Sequence, residues 1–135
     1  MKTKFWIKSP ENIEGAVLSF KKEFASKTEI RSATLRVSSL GIYVAKLNGK
    51  KVGNQVLSPG LTSYAFRVQY QSYDVTEMIK KDNALEISVG PGWAVGCYGL
   101  KRSKNSWGEA VEAVAELEIV TSDGTVSYIT TDETW

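Results

Sequence analysis

Tryptophan and tyrosine side chains are concentrated in one glycine-rich stretch of the chain. Residues 90–108 contain Trp93, Tyr98 and Trp107 together with five glycines. An exposed aromatic ring offers a flat apolar surface to the C–H face of a pyranose, while neighbouring polar groups bind the sugar oxygens. These three residues are therefore candidates for saccharide binding. The alternative for each is packing, in which the rings cap the open end of the fold and are buried under the loop.

Two polar residues extend this candidate site. Glu109 directly follows the tryptophan-containing stretch and is the acid nearest to it, so it could accept hydrogen bonds from sugar hydroxyls or from the backbone. Asn54 lies in a second long connection, residues 50–63, which contains Gly53, Pro59 and Gly60. Long ordered loops of this kind commonly carry the function of a β-sandwich. Asn54 is a further candidate for binding sugar hydroxyls.

The remaining composition argues against catalysis by this chain. Histidine is absent, which excludes histidine-based zinc sites and Ser–His or Cys–His nucleophile pairs. Cys97 is the single cysteine and is predicted to be a small buried filler. Glycoside hydrolysis needs two carboxyl groups facing each other across a cleft. The acids at positions 112, 116 and 118 instead share one face of a predicted strand, where we expect them to be solvated.

The elements that position these residues follow a hydrophobic period of two. Alternation predicts strands at residues 17–24, 30–37, 42–47, 64–70, 84–89, 113–120 and 125–131. Asn48-Gly49 predicts a tight hairpin, and Ser122-Asp123-Gly124 predicts a second hairpin that pairs the last two strands. A single helix of about two turns is predicted at residues 75–81, with Asp74 or Thr76 as its cap. This pattern predicts an all-β, antiparallel β-sandwich of the jelly-roll type with one short helix.

Length and charge indicate one globular domain over residues 1–135. The first 104 residues carry a net charge of +9 and the last 31 carry −7. The basic residues are scattered singly or in pairs along predicted polar faces, so a nucleic-acid partner is not expected. No apolar run approaches ~18 residues, so a membrane partner is not expected either.

The order of several short motifs resembles a known family. From about Phe5 to Trp135 the chain is similar to the N-terminal β-sandwich domain of bacterial α-L-rhamnosidases, which are glycoside hydrolases related to family 78. The motifs that carry the resemblance are LGIYVAKLNGKKVG (40–53), LSPG (57–60), YQSYDVT (70–76), GPGW (90–93), WG (107–108) and TDETW (131–135).

The resemblance implies a galactose-binding-domain-like jelly roll that precedes a catalytic (α/α)6 barrel. In that family the catalytic carboxylates lie in the barrel, so the chain is expected to be part of a longer enzyme. The sequence leaves the compartment of the parent open between periplasm, exterior and cytoplasm, and the resemblance favours the periplasm or the exterior of a bacterial cell. The implied role is an accessory domain that supports the barrel and contributes to binding rhamnose-containing glycans. Two alternatives stay open: a free-standing carbohydrate-binding module, and a structural domain without a ligand.

A calcium site is suggested only by this resemblance. Some similar sugar-binding modules hold calcium between loops with an Asp/Asn pair; if the loop at residues 53–55 is such a place, calcium binding there would depend on Asn54 and Gln55. Calcium prefers several hard oxygens, usually with carboxylates among them. Because this loop offers neutral amides, the sequence predicts neither a metal site nor another cofactor.

Overall fold

The structure is a computed structural model, and it describes residues 1, 5–11, 13–26 and 29–135. These residues form two packed antiparallel sheets and a small separate hairpin. None of the helices in this described part of the chain is long and apolar enough to cross a membrane. The strands are β1 (Ile7–Lys8), β2 (Leu18–Ala25), β3 (Ile30–Leu40), β4 (Ile42–Leu47), β5 (Lys50–Lys51), β6 (Gln71–Asp74), β7 (Asp82–Gly90), β8 (Cys97–Tyr98), β9 (Ser103–Lys104), β10 (Glu112–Thr121) and β11 (Val126–Thr130).

The first sheet has the strand order β1-β10-β3-β6, with β11 also pairing with β10. The second sheet has the order β2-β7-β4-β5. Strands β8 and β9 form the separate hairpin. Every pairing is antiparallel, so the predicted antiparallel β-sandwich is confirmed.

The core lies between the two sheets and follows directly from the alternation in the sequence. On β3 and β10, Leu35 faces Leu117 in register, and both side chains are fully buried. On β4 and β7, Leu47 faces Leu85, and these are also fully buried. Burying one leucine side chain contributes about 2 kcal/mol before the entropic cost of ordering it. The other buried apolar residues of the sheets include Ala33, Val37, Tyr43, Ala45, Ile87, Val89, Ala113, Ala115 and Ile119.

Both predicted hairpins are confirmed. Asn48 and Gly49 have φ values of 54° and 78°, as a two-residue type I′ turn requires, and they connect β4 to β5. The Asn48 side chain also donates to Met78 O (2.8 Å) and accepts from Ala84 N (2.9 Å), which ties the turn to the neighbouring chain. Gly124 (φ 83°) lies in the turn between β10 and β11.

The strand predicted at residues 64–70 is wrong. Ser63 O accepts hydrogen bonds from Phe66 N (2.8 Å) and Arg67 N (3.0 Å), so the chain turns here. Phe66 is 91% exposed, whereas Tyr64 is buried and donates its hydroxyl to Gly60 O. The strand that pairs with β3 begins later, at Gln71. The alternating aromatic residues of this stretch therefore reflect a turn that buries the Tyr64 ring and exposes Phe66, and not a strand.

The predicted helix at residues 75–81 is reduced to a 3₁₀ helix over Thr76–Met78. Asp74 accepts the expected hydrogen bond from Thr76 N (3.0 Å), but the N-cap position is Val75, which has no side-chain cap, so neither Asp74 nor Thr76 is the cap. The helix ends early because Asn83 bonds both the N–H (2.8 Å) and the carbonyl (2.7 Å) of Lys80. A four-residue helix that the sequence did not predict, α1, spans Gly92–Val95.

The expectation that Glu116 is solvated is also wrong. Its side chain is 1% exposed, although it lies on the outer face of β10. Arg36 is directly opposite on β3, and its Nη1 donates to Glu116 Oε1 at 3.1 Å and to Glu118 Oε2 at 3.5 Å. Because β10 is an interior strand, its neighbours cover this carboxylate.

We predict that Arg36→Met lowers the free energy of unfolding by about 3 kcal/mol, since it removes a guanidinium that pairs with the buried carboxylate of Glu116. Urea denaturation would measure the loss. The matched control is Arg31→Met, an exposed arginine on the same strand, for which we expect a change within about 0.5 kcal/mol. The double variant Arg36→Met/Glu116→Leu should regain most of the stability. A loss no larger than that of the control would contradict this assignment.

A second polar interaction connects the sheets through Tyr43. Its buried hydroxyl donates to Gln71 Oε1 at 2.7 Å and lies 3.3 Å from the Tyr73 hydroxyl. Burial, with a smaller contribution from Tyr73, raises the pKa of Tyr43 above the ordinary tyrosine value. The neutral phenol therefore stabilises the fold below pH ~10, and this stability is lost as the pH rises from there through the folded pKa.

We predict that the urea midpoint falls more steeply above pH ~10 in the unmodified chain than in Tyr43→Phe. At pH 7 the variant should be less stable by about 1 kcal/mol, because Gln71 loses its donor. Tyr70→Phe removes an exposed phenol and should follow the unmodified chain at every pH. Parallel curves for Tyr43→Phe and the unmodified chain would exclude Tyr43 as the source of the alkaline loss.

Candidate functional site

The aromatic stretch between β7 and β10 folds into α1 followed by the β8–β9 hairpin. Cys97 pairs with Lys104 and Tyr98 pairs with Ser103. The turn between the two strands is closed by Arg102 N donating to Gly99 O at 3.0 Å. Leu100 is fully exposed at this turn, so the hairpin projects from the sandwich.

After the hairpin, the chain is fixed to α1 by backbone hydrogen bonds. Asn105 N donates to Val95 O (3.3 Å), and Trp107 N donates to Ala94 O (3.3 Å). Ala94 is fully buried. The helix itself lies against β4, since a Cβ on Gly92 (φ 55°) would be 2.5 Å from Cγ1 of Ile42. The position of Trp107 is therefore set by the sandwich and not by the hairpin tip.

Trp107 lies at the centre of three aromatic rings. Its ring centroid is 5.3 Å from that of Tyr64 and 5.1 Å from that of Tyr98, with an interplanar angle of 62° in both pairs. Such edge-to-face contacts are worth about 1 kcal/mol each beyond the burial of area. Burial raises the pKa of Tyr64, whose hydroxyl donates to Gly60 O at 2.9 Å. Trp107 itself is half-buried, which leaves part of its ring accessible.

The accessible part of Trp107 lines a cleft of about 650 Å³, here called the aromatic cleft. Its floor includes Leu40 and Glu112, which face each other in register on β3 and β10. Its polar groups include the side chains of Asn105, Glu109 and Glu112, so hydroxyl donors could be accepted beside an indole ring. The full lining is Trp6, Leu40, Tyr64, Ala65, Val68, Asn105, Ser106, Trp107, Gly108, Glu109 and Glu112.

A smaller cleft of about 330 Å³ adjoins the first and is called the ion-pair cleft. Glu14 and Lys104 face it and form an exposed ion pair at 2.8 Å. The hydrogen bond between them lowers the pKa of Glu14 and raises that of Lys104. Apolar side chains make up much of the rest of the lining, which is Ile13, Glu14, Gly15, Ala16, Leu18, Pro91, Val95, Gly96, Cys97, Lys104, Asn105, Glu109 and Val111.

The structure brings three of the five predicted site residues together. Trp107 and Glu109 line the aromatic cleft, and Tyr98 supports Trp107 from the hairpin. Trp93 lies half-buried on α1 and is not among the lining residues of either cleft. Asn54 is exposed in the turn after β5 and is also outside both. The geometry therefore separates the two tryptophans that the sequence treats alike.

The prediction that Cys97 is buried is wrong. The thiol is free and exposed on β8. The reason is that, among the described residues, the β8–β9 hairpin pairs with neither of the two sheets, so no neighbouring strand covers Cys97.

Two rings of the aromatic cleft were not identified as site residues from the sequence. The sequence does not single out Trp6, and it places Tyr64 in the predicted strand at residues 64–70. The neighbouring Ile7 could have indicated the orientation of Trp6. Successive side chains of an extended chain point to opposite faces, so the buried Ile7 side chain directs Trp6 to the outer face, where the cleft lies. Nothing in the sequence indicates that Tyr64 contacts Trp107 across a separation of more than forty residues.

In the loop suggested for calcium, the oxygen atoms of Gln55 already accept hydrogen bonds from other residues of the protein. Gln55 Oε1 accepts from the Tyr73 hydroxyl at 3.2 Å, and Gln55 O accepts from Lys51 Nζ at 3.0 Å. Gly53 (φ 68°) permits this approach, since a Cβ there would lie 2.4 Å from Cε1 of Tyr73. Within the described part of the chain, no three Asp, Glu or Cys side chains form a metal-binding group.

Comparison with known proteins decides the family. Residues 28–135 match the family described as the alpha-L-rhamnosidase N-terminal domain. The chain belongs to this family. An alpha-L-rhamnosidase of Streptomyces avermitilis is 42% identical over 108 residues, which are 79% of this chain and 10% of that protein.

Solved rhamnosidases show the same fold. The crystal structure of native α-L-rhamnosidase from Aspergillus terreus superposes with a TM-score of 0.89 and 33% identity, covering 96% of this chain and 16% of that one. The Streptomyces avermitilis α-L-rhamnosidase complexed with L-rhamnose superposes with a TM-score of 0.81 and 40% identity, covering 84% of this chain and 11% of that one. The rhamnosidase N-terminal domain described here thus spans a small fraction of the length of its relatives.

For this rhamnosidase N-terminal domain, we predict that Tyr64→Ala lowers the free energy of unfolding by about 3 kcal/mol, because it removes a buried ring and its contact with Trp107. Tyr98→Ala should cost about 1 kcal/mol, because Tyr98 is 40% exposed and contributes mainly the ring contact. Urea denaturation of both variants measures the difference. Equal losses would mean that Tyr64 does not support Trp107 from the core as described.

Proposed function

We propose that this domain is an accessory part of an α-L-rhamnosidase and contributes to binding its saccharide substrate in the aromatic cleft. The observation that carries the proposal is the half-buried Trp107 ring, which lines a concave site together with Asn105, Glu109 and Glu112. A volume of about 650 Å³ is in the ordinary range for small-molecule sites.

The chemistry of this lining suits a sugar. The indole presents an apolar face for the C–H groups of a pyranose ring. The two carboxylates accept hydrogen bonds from hydroxyls, and the Asn105 amide can both donate and accept. The site lies on rigid sheet strands and on a segment fixed to α1, so little ordering is required when a ligand binds.

Hydrolysis is assigned to the remainder of the parent enzyme. The Streptomyces avermitilis relative was crystallised as a complex with L-rhamnose, and this chain covers 11% of it. We therefore propose that the parent cleaves α-L-rhamnosides with carboxylates outside this chain, and that this domain binds saccharide without cleaving it.

A second role, support of the catalytic domain, is favoured by exposed apolar side chains at two loop tips. Phe66 is 91% exposed in the turn that follows Tyr64, and Leu100 is fully exposed on the β8–β9 hairpin. Singly exposed apolar residues are common, whereas extended exposed apolar patches mark contact surfaces, so the supporting role requires that the partner cover both tips together. Both tips belong to segments that contact Trp107 through a tyrosine.

The test is calorimetric titration of the domain with L-rhamnose to high millimolar concentrations, since a millimolar dissociation constant corresponds to only about 4 kcal/mol. We expect saturable binding that Trp107→Ala weakens at least about tenfold. Trp93→Ala is the matched control, because it removes a half-buried tryptophan outside the cleft and should leave the affinity unchanged. Calorimetry is preferred to fluorescence because Trp107 would itself be the reporter.

The outcomes separate the candidate roles. If no heat of binding is measured at any concentration of L-rhamnose, the binding role is wrong and the supporting role is the remaining candidate. Binding that Trp93→Ala abolishes and Trp107→Ala does not would place the sugar elsewhere. Repeating the titration with EDTA and with added calcium tests whether binding depends on calcium. We expect the same affinity under both conditions. Circular dichroism of each variant confirms that it folds.

A further inference from the structure

The aromatic cleft and the ion-pair cleft have two lining residues in common, Asn105 and Glu109. Both belong to the segment that returns from the β8–β9 hairpin toward β10. The clefts therefore meet along this segment, with volumes of about 650 Å³ and 330 Å³. The two neighbouring clefts are together called the groove, with Asn105 and Glu109 as its shared middle, and their combined volume exceeds what one sugar ring needs.

The shared middle is held in place before any ligand arrives. The N–H of Asn105 donates to Val95 O at 3.3 Å, while the Asn105 side chain is exposed. Asn105 has a φ of 54°, the left-handed conformation that asparagine tolerates better than most residues. A side-chain amide has two donors and an acceptor, so at the junction it can bind hydroxyls of a sugar in either cleft.

The two halves of the groove differ in chemistry in a way that suits two neighbouring sugars. The aromatic cleft offers the ring of Trp107 for stacking. The ion-pair cleft offers a carboxylate on Glu14 and an ammonium on Lys104, beside the apolar side chains of Val95 and Val111. A sugar there would find both an acceptor and donors for its hydroxyls next to an apolar wall.

We propose that the two clefts bind adjacent residues of one oligosaccharide, with Asn105 at the junction. The proposal rests on the proposed function, that the aromatic cleft binds saccharide. It specifies that function further, because the ligand is then at least a disaccharide that stacks one residue on Trp107 and places the next beside Glu14 and Lys104.

The first experiment compares the affinity of the domain for methyl α-L-rhamnoside with its affinity for a rhamnose–glucose disaccharide, by calorimetry. We expect the disaccharide to bind about tenfold more tightly, which one or two additional hydrogen bonds would supply. Equal affinities would overturn the two-cleft groove and leave the aromatic cleft as a monosaccharide site. Failure of both ligands to bind would instead overturn the proposed function itself.

Two alanines provide matched variants, because one lies in each cleft. Ala16→Leu fills part of the ion-pair cleft, and Ala65→Leu fills part of the aromatic cleft. Ala16→Leu should reduce the affinity for the disaccharide to the value measured for the monosaccharide. The affinity for the monosaccharide itself should not change. Ala65→Leu should lower the affinity for both ligands.

Ala25→Leu, on the exposed side of β2 and outside both clefts, controls for the added side chain and should change neither affinity. Thermal melts of the three variants show whether each one folds. If Ala16→Leu leaves the affinity for the disaccharide unchanged, the second residue does not occupy the ion-pair cleft and the proposal is wrong.

Discussion

The pairing of β3 with β10 is the constraint on which the rest of the structure depends. The two strands pair over ten residues, and side chains alternate between the core and the outer face of the sheet. The same register that buries Leu35 against Leu117 places Leu40 and Glu112 on the floor of the aromatic cleft. A shift of one residue would exchange the two faces and remove the core and the cleft together. Stability and the candidate site are therefore fixed by one set of backbone hydrogen bonds.

Much of this framework could be predicted from the sequence, because strands buried on one face leave a period of two and type I′ turns require specific residues. Asn48-Gly49 is a clear example, since few other pairs adopt positive φ at both positions. The stretch from Tyr64 to Tyr70 shows the same period without forming a strand. There the alternation has a different cause: Tyr64 is buried by a turn that the Ser63 carbonyl closes, and Phe66 points into solvent.

The candidate site could be predicted only in part, for a related reason. Composition indicated residues 90–108 as a candidate site, and Trp107 and Glu109 do line a cleft. Composition could not distinguish Trp107 from Trp93, because the difference depends on hydrogen bonds between segments. Asn105 and Trp107 return onto Val95 and Ala94, which turns one tryptophan toward the cleft. The contact with Tyr64 depends on tertiary packing, which leaves no local signal in the sequence.

The two proposed roles, saccharide binding and support of the catalytic domain, would depend on the same two segments of the chain. The turn that carries exposed Phe66 also carries Tyr64, and the hairpin that carries exposed Leu100 also carries Tyr98. Both tyrosines contact the Trp107 ring, so a partner domain seated on these tips would restrict the two side chains that hold the ring. Restriction before binding reduces the entropy lost when a ligand is bound. Because the backbone at Trp107 is already fixed to α1 and Tyr64 is buried, docking would act mainly on the more exposed Tyr98 side chain and would raise the proposed affinity for saccharide only modestly.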